Sequence, residues 1–316
     1  MSVSLHTIIS EKDMEYINKV YFGDCIDGLS KLPDRSVDLI VADPPYWKVI
    51  GEKWDYQWRT EQDYVDWSLK WIKEASRVLR YGGTFYLFGY FRTLALLVPH
   101  FDSLELDLRQ QILVDKGMRA VSGRATKNYK MFPNTTESIL FMIKDNKQFV
   151  KPYLKKHQEK VGLKAKEINE ALGVKSNGGG MWSIYTGKNV CEQFPTEELW
   201  TKLQNILKFD LAYDKVAQTF NPQMGLTDIW RDIDFYKEKR VHSTQKPLPL
   251  IKRLILASSN EGDLVVDPFA GSGSTALASL HLKRKYYTIE LDEAYYNEVL
   301  KRIDEVVNPL GSLISV

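Results

Sequence analysis

Apolar, β-branched runs alternate with amphipathic helical stretches at both ends of this chain, while its middle abandons that rhythm. Few folds accommodate such an order. NKVYFGD (18–24) and VDLIVAD (37–43) read as strands. TEQDYVDWSLKWIKEASRVLRYGG reads as a helix with Thr60 as N-cap, Val65, Leu69, Ile72, Ala75, Val78 and Leu79 near helical spacing, and Gly82-Gly83 as its stop. TFYLFGY (84–90), LRQQILVD (108–115) and ESILFMIK (137–144) have the β-branched and aromatic content of strands. From about 145 to 235 the texture turns to lysine, glycine and polar residues, with helical pieces KAKEINEALG and PTEELWTKLQNILKF. The alternation then resumes: PLIKRLILAS is a helix, DLVVDPFAGSGSTALASLHL is strand, glycine turn and helix, and KYYTIELD is a strand ending on acids. Alternating strands and helices predict an α/β domain with a mostly parallel, doubly wound sheet. It is built from both ends of the chain, around an inserted basic module.

At 316 residues and 44% hydrophobic content the chain has ample material for such a core. The net charge is only +2, but the charge is unevenly placed. Between Lys144 and Lys188 ten lysines face four acids, a net +6, and Arg119, Arg124, Lys127 and Lys130 lie just upstream. A stripe of this kind is the electrostatic footprint of a phosphate-binding surface. The two cysteines, Cys25 and Cys191, lack metal-ligand spacing, so neither a disulfide framework nor a metal site is expected. The N-terminus lacks the pattern of an export signal and no run approaches membrane-span length, so a cytoplasmic, nucleoid-associated protein is expected.

Two motifs carry chemistry. In the first, a buried strand ends on Asp43-Pro44-Pro45-Tyr46. Each proline fixes its own φ and pushes the preceding residue towards an extended conformation, so the Asp43 carboxylate and the Pro44 carbonyl are held as a rigid pair of acceptors. Two fixed acceptors suit an –NH2 group. An exocyclic amine on a nucleobase is a poor nucleophile, because its lone pair is delocalised into the ring. Accepting hydrogen bonds from both of its N–H groups favours rehybridisation and stabilises charge developing on nitrogen. Tyr46 can stack on the base, and the loop WKVIGEKWDYQW behind it can close over the site. In the second motif, DPFAGSGST (267–275), glycines stand where a strand turns into a helix, so backbone N–H groups approach a ligand closely. Glu290 ends the next strand, placed to accept from both hydroxyls of a ribose, and a nucleoside-containing cofactor follows.

The sequence here resembles the amino-group DNA methyltransferases that use S-adenosylmethionine. DPPY (43–46) looks like their catalytic motif, DPFAGSGST like their cofactor motif, and HSTQKPLPLIKRLI (242–255) like the motif that precedes it. The order matches the β class, over roughly residues 18–150 and 238–305. Ser274 stands where many members have Thr. The resemblance implies a circularly permuted, Rossmann-like methyltransferase sheet: a catalytic half (1–145), an inserted, mainly helical target-recognition region (146–235) and a cofactor-binding half (236–316). It implies that Phe269, Gly271 and Gly273 line the methionine and adenosine parts of the cofactor, with Asp267, Ser272 and Ser274 in the same turn. Glu290 holds the ribose, and Asp24 with Cys25 sits by the adenine. His242, Thr244, Gln245, Lys246 and Pro247 belong to the segment capping the methionine end, where the lysine is a candidate for the cofactor carboxylate.

Asp at the first position of the catalytic motif usually accompanies adenine in this family, and Ser cytosine N4, which favours the N6 amine of adenine in double-stranded DNA. A base inside a duplex must be flipped out to be reached, at a cost on the order of a few kcal/mol. LKAKEINEALGVKSNGGGMWSIYTG followed by PTEELWTKLQNIL has the cadence of a helix-turn-helix, with Ile168, Ala171 and Leu172 as an apolar face and Gly173 as the turn. Arg124, Lys127, Lys130, Lys175 and Lys188 are candidate DNA contacts. A homodimer and a cognate restriction endonuclease are partners the sequence leaves open. Competing readings are a cytosine-N4 enzyme, an RNA or protein amino methyltransferase, a DNA-binding regulator with a ligand-sensing sheet, and a nicotinamide-dependent dehydrogenase. The last two leave Asp43-Pro44-Pro45-Tyr46 unexplained.

Overall fold

The computed structural model describes residues 15–47, 56–121, 130, 132–173, 180–187, 193–238 and 245–309. The N-terminal part contains β1 (Lys19–Phe22), α1 (Cys25–Ser30), β2 (Val37–Ala42), α2 (Glu61–Val78), β3 (Leu79–Gly89), α3 (Phe91–Leu97), β4 (Leu106–Asp115) and β5 (Thr136–Lys144). Four helices follow: α4 (Lys147–Val161), α5 (Ala165–Leu172), α6 (Gly180–Tyr185) and α7 (Glu197–Leu207). The chain then supplies β6 (Ile229–Trp230), α8 (Leu248–Ser258), β7 (Leu264–Asp267), α9 (Ser274–His281), β8 (Lys285–Glu290) and α10 (Glu293–Val307).

Among the described residues, eight strands form one sheet, in the order β1-β8-β7-β2-β3-β5-β4-β6. It is parallel from β1 to β3, with β7 between β2 and β8, while β5 runs antiparallel to both β3 and β4. Strand alternation divides the core into two layers. On β2 and β3, Ile40, Ala42, Phe85 and Leu87 face the layer containing Trp71, Ile72 and Val78 of α2. Leu39, Val41, Tyr86 and Phe88 face Leu250, Ile251, Leu254 and Ile255 of α8 on the other side. Burying each of these large side chains contributes roughly 1.5–3 kcal/mol. Slipping β2 by one residue would turn both faces inside out, so the register is strongly specified.

The Thr60 cap is present as a reciprocal box with Asp63. The far end of α2 differs from expectation. The helix stops at Val78 and β3 begins at Leu79, so Gly82-Gly83 lies inside a strand rather than ending the helix. Gly82 has φ +73°, and a Cβ there would come within 2.6 Å of the Ala217 backbone. The glycine is required by a returning segment, not by the helix. Arg80 fastens that same segment, with Nε donating to Asp38 at 2.7 Å and a guanidinium nitrogen donating to the Ala217 carbonyl at 2.9 Å.

The lysine-rich insert folds around its own core of Val150, Leu154, Ile168, Leu172, Trp182, Trp200 and Leu203. Ile168 and Leu172 are buried as expected, but Ala171 is exposed and does not belong to that face. The helix after Gly173 among the described residues, α6, has six residues and buries Trp182 and Tyr185. Lys144 also departs from the expected surface stripe. It is buried, donating to the Ser76 carbonyl at 2.7 Å and pairing with Glu105 at 2.9 Å. Exposed Lys155, Lys156 and Lys160 on α4 carry the stripe instead. The chain is back in the sheet by β6, which pairs with β4, and Trp230, Ile233 and Phe235 pack into the α8 layer.

Candidate active site

Strands β2 and β7 lie side by side and both run into Asp-Pro at their carboxyl ends, so the sheet brings Asp43 and Asp267 to one rim. Ligands of open α/β sheets bind at such a rim. A cavity of ≈ 410 Å³ opens there, lined by Asp24 and Cys25 after β1, Asp43 to Tyr46 after β2, Gln245 and Lys246 before α8, the 267–275 turn, and Glu290. Gly273 and Pro247 do not line it. Gly273 is the N-cap of α9 with φ +78°, its missing Cβ leaving room for Val299 of α10; Pro247 is the N-cap of α8. His242, Thr244, Arg124, Lys127, Lys175 and Lys188 lie outside the described residues, as do residues 48–55 of the aromatic loop. Lys130 is described and exposed.

On the cofactor side, Gly271 has φ +52°, and a Cβ there would meet nothing closer than the Phe269 carbonyl at 3.9 Å. This is open space on the cavity wall. Glu290 accepts from the Gly271 amide at 2.7 Å through one oxygen and from the Asp292 amide at 2.9 Å through the other. Each oxygen keeps a lone pair for a further donor. Burial raises the Glu290 carboxyl above its ordinary value. The Phe269 ring packs against Trp71 at 5.0 Å, edge to face, and Trp67 at 5.9 Å. Trp67 lines the cavity and escaped the reading of α2, although Trp67 and Trp71 stand four residues apart on a helix whose neighbouring face was recognised. An acid, a glycine wall without a Cβ and an aromatic ring on one cavity fit a nucleoside-containing cofactor.

Asp267 is buried, accepting from the Phe269 amide at 2.9 Å and the Thr275 hydroxyl at 2.5 Å. Burial pushes its carboxyl up to about 7, the two donors opposing and the Asp43 and Glu290 charges adding to the rise. The folded protein therefore holds this proton where the unfolded chain, with a carboxyl near about 3.9, has released it. Its contribution to stability is greatest below about pH 4 and declines as pH rises towards about 7. Asp267→Asn should remove that decline, narrowing the fall in unfolding free energy between pH 5 and pH 8 by about 2–3 kcal/mol. Urea titrations of both proteins at the two pH values measure the difference, and parallel wild-type and variant profiles would contradict it.

The acceptor side holds a buried network. Lys246 Nζ lies 2.5 Å from Asp43 Oδ2 and 3.4 Å from Glu137 Oε1. The Tyr46 hydroxyl stands 2.8 Å from both Asp43 Oδ1 and Glu137 Oε1, with one proton to donate to two carboxylates. Lys116 donates to the other Glu137 oxygen at 3.0 Å. Burial opposes the Lys246 charge, but Asp43 and Glu137 outweigh it and hold the ammonium above its ordinary value. Burial would likewise raise Glu137, yet Lys246 and Lys116 hold it below the usual carboxylate range. Burial and the two carboxylates drive the Tyr46 phenol well upward. The structure thus puts the Lys246 ammonium on Asp43 and Glu137, and ties the Tyr46 hydroxyl to the same two acids. Glu137 was not singled out from sequence, because ESILFMIK reads simply as a strand.

A cavity shared by a rigid acid-proline acceptor pair and a nucleoside-fitting glycine turn defines an enzyme of the amino-methyltransferase class. The chain belongs to the DNA methylase family, whose profile matches residues 37–301. It is 28% identical over 295 residues to the DNA adenine methyltransferase YhdJ of Escherichia coli, covering 90% of this chain and 82% of that one. It is 26% identical to the type II methyltransferase M.HinfI of Haemophilus influenzae, covering 95% of this chain and 72% of the relative. Among solved structures, the fold matches that of TTHA0409 from Thermus thermophilus, complexed with S-adenosyl-L-methionine. The TM-score is 0.55 at 20% identity, covering 92% of this chain and 94% of that one. The cytosine-N4-specific PvuII DNA methyltransferase superposes with a TM-score of 0.55 at 16% identity, covering 90% and 85%.

Proposed function

We propose that this DNA methyltransferase transfers the methyl group of S-adenosylmethionine to the N6 amine of an adenine within a short duplex motif. The observation that carries this reading is that Asp43-Pro44 and the Gly271-Glu290 wall open on one cavity. When bound, S-adenosylmethionine supplies an electrophilic methyl group, and the protein contributes alignment and electrostatics. Glu290 accepts from the ribose hydroxyls, Phe269 lies along the cofactor, and Asp24 and Cys25 border its adenine. The Cys25 thiol, pushed up to about 12 by burial first and by the Asp24 charge second, stays protonated and serves as an apolar wall.

Asp43 and the Pro44 carbonyl accept the two N–H groups of the flipped base, directing the nitrogen lone pair into the cavity. Asp43 can do so while paired with Lys246, because each carboxylate oxygen offers more than one lone pair. Exposed Lys155, Lys156, Lys160 and Lys130 bind phosphates and offset the cost of unstacking. The asparate at position 43, rather than serine, favours adenine over cytosine, and the name of the E. coli relative supports the same base. The kinship to a type II enzyme supports a companion endonuclease.

The test is modification mapping by single-molecule sequencing in a methylation-free host expressing the wild type or Asp43→Ala. N6-methyladenine at one short motif, absent from the variant, is the expected result. N4-methylcytosine would overturn the choice of base, and unmodified DNA from soluble wild-type protein would overturn the DNA reading.

A further inference from the structure

We propose that Glu137 is a positioning residue for methyl transfer, acting from behind the cavity wall through Lys246 and Tyr46 on the Asp43 carboxylate. Glu137 does not line the cavity, whereas Asp43, Tyr46 and Lys246 do. Its side chain is 9% exposed and carries three contacts: the Tyr46 hydroxyl at 2.8 Å, Lys116 at 3.0 Å and Lys246 at 3.4 Å. Its place at the start of β5, antiparallel to β3, aims it at the end of the parallel half of the sheet.

Charge balance argues that this arrangement is more than packing. Two carboxylates and two ammoniums form a neutral set around one phenol, and the Asp43 charge helps to raise the neighbouring Asp267 carboxyl. Lys246 is 8% exposed, so its ammonium needs anionic partners. If Asp43 were its only one, the ammonium would settle wholly on the carboxylate that must receive the target amine. Glu137 draws part of that charge away and gives the Tyr46 proton an alternative acceptor. Asp43 thereby retains capacity for the substrate. The backbone end of Lys246 is fixed independently, its carbonyl accepting from Ser274 at 2.9 Å, so the shared ammonium is what Glu137 adjusts.

This inference rests on Asp43 being the amine acceptor, and the experiment separates the two ideas. The purified wild type, Asp43→Ala, Glu137→Gln and Lys116→Met would be compared in methylation of duplex DNA between pH 4 and 9, a window that reaches the carboxylate range, with melting curves and S-adenosylmethionine binding measured alongside. Glu137→Gln keeps shape and removes charge. Its kcat should fall on the order of 10- to 100-fold, the scale seen when a partner orienting a site ligand is lost. KM for DNA and cofactor affinity should stay within about threefold, since Glu137 does not line the cavity.

The pH profile gives a readout that a purely structural role would not move. Glu137→Gln removes one of two acids sharing Lys246, so the acid limb of kcat should shift to lower pH. Lys116→Met removes a cation that holds Glu137 down, so the limb should shift to higher pH. Opposite shifts with preserved melting establish the role. Unchanged kcat and limb in Glu137→Gln, or losses that track melting alone, overturn it. An active Asp43→Ala enzyme would overturn the underlying assignment instead.

Discussion

Asp43→Ala is expected to lower kcat by on the order of 10²- to 10³-fold, the scale seen when one preorganised group facing developing charge is removed. Cofactor affinity should change by less than about threefold, because the proposed cofactor wall is the 267–275 turn and Glu290 rather than Asp43. The fold should survive: Lys246 retains Glu137 as a partner, and the Tyr46 hydroxyl retains it too. Asp43→Asn is the informative companion. It keeps one acceptor oxygen but turns an –NH2 group towards either Lys246 or the substrate amine, so it should be impaired nearly as much. Single-turnover methylation at saturating DNA isolates the chemical step. A rate within a few-fold of wild type would remove Asp43 from the mechanism.

Glu290→Gln should weaken S-adenosylmethionine binding by roughly 10- to 100-fold, the equivalent of about 1.5–3 kcal/mol for hydrogen bonds to a charged acceptor. The wild-type carboxylate already accepts the Gly271 and Asp292 amides, one on each oxygen. An amide side chain has a single acceptor oxygen for those two donors and the ribose together, and it presents an N–H group where an acceptor is required. Calorimetric titration with the cofactor gives the affinity, and thermal melting without it gives the cost to the turn. Unchanged affinity with a lowered melting temperature would make Glu290 a brace of the glycine turn only.

Much of the sheet domain was legible because its signals are local. Proline fixes φ within one residue, so Asp43-Pro44-Pro45 declared a rigid strand end without any partner. The Thr60 cap needs only Asp63 three positions on. Glycines at 271 and 273 likewise mark a turn that residues with a Cβ rarely adopt. Misreadings arose where a local signal served a distant contact. Gly82 looked like a helix stop, but the Val216–Ala217 backbone is what excludes a side chain there. Lys144 looked like one more surface lysine until Glu105 and Ser76 enclosed it.

By itself, then, the sequence determined the strand and helix periods, the two Asp-Pro strand ends, the family and the chemistry its motifs serve. Only the tertiary structure decided that those strand ends adjoin, since β2 and β7 meet through a parallel pairing that no short-range pattern encodes. The same holds for Lys246 on Asp43, a contact made across 203 residues, and for Glu137 and Tyr46 across 91. Such contacts depend on which strands the core places side by side. Apolar burial sets that order through side chains remote from the site, and the buried charges are then confined to the partners it leaves within reach.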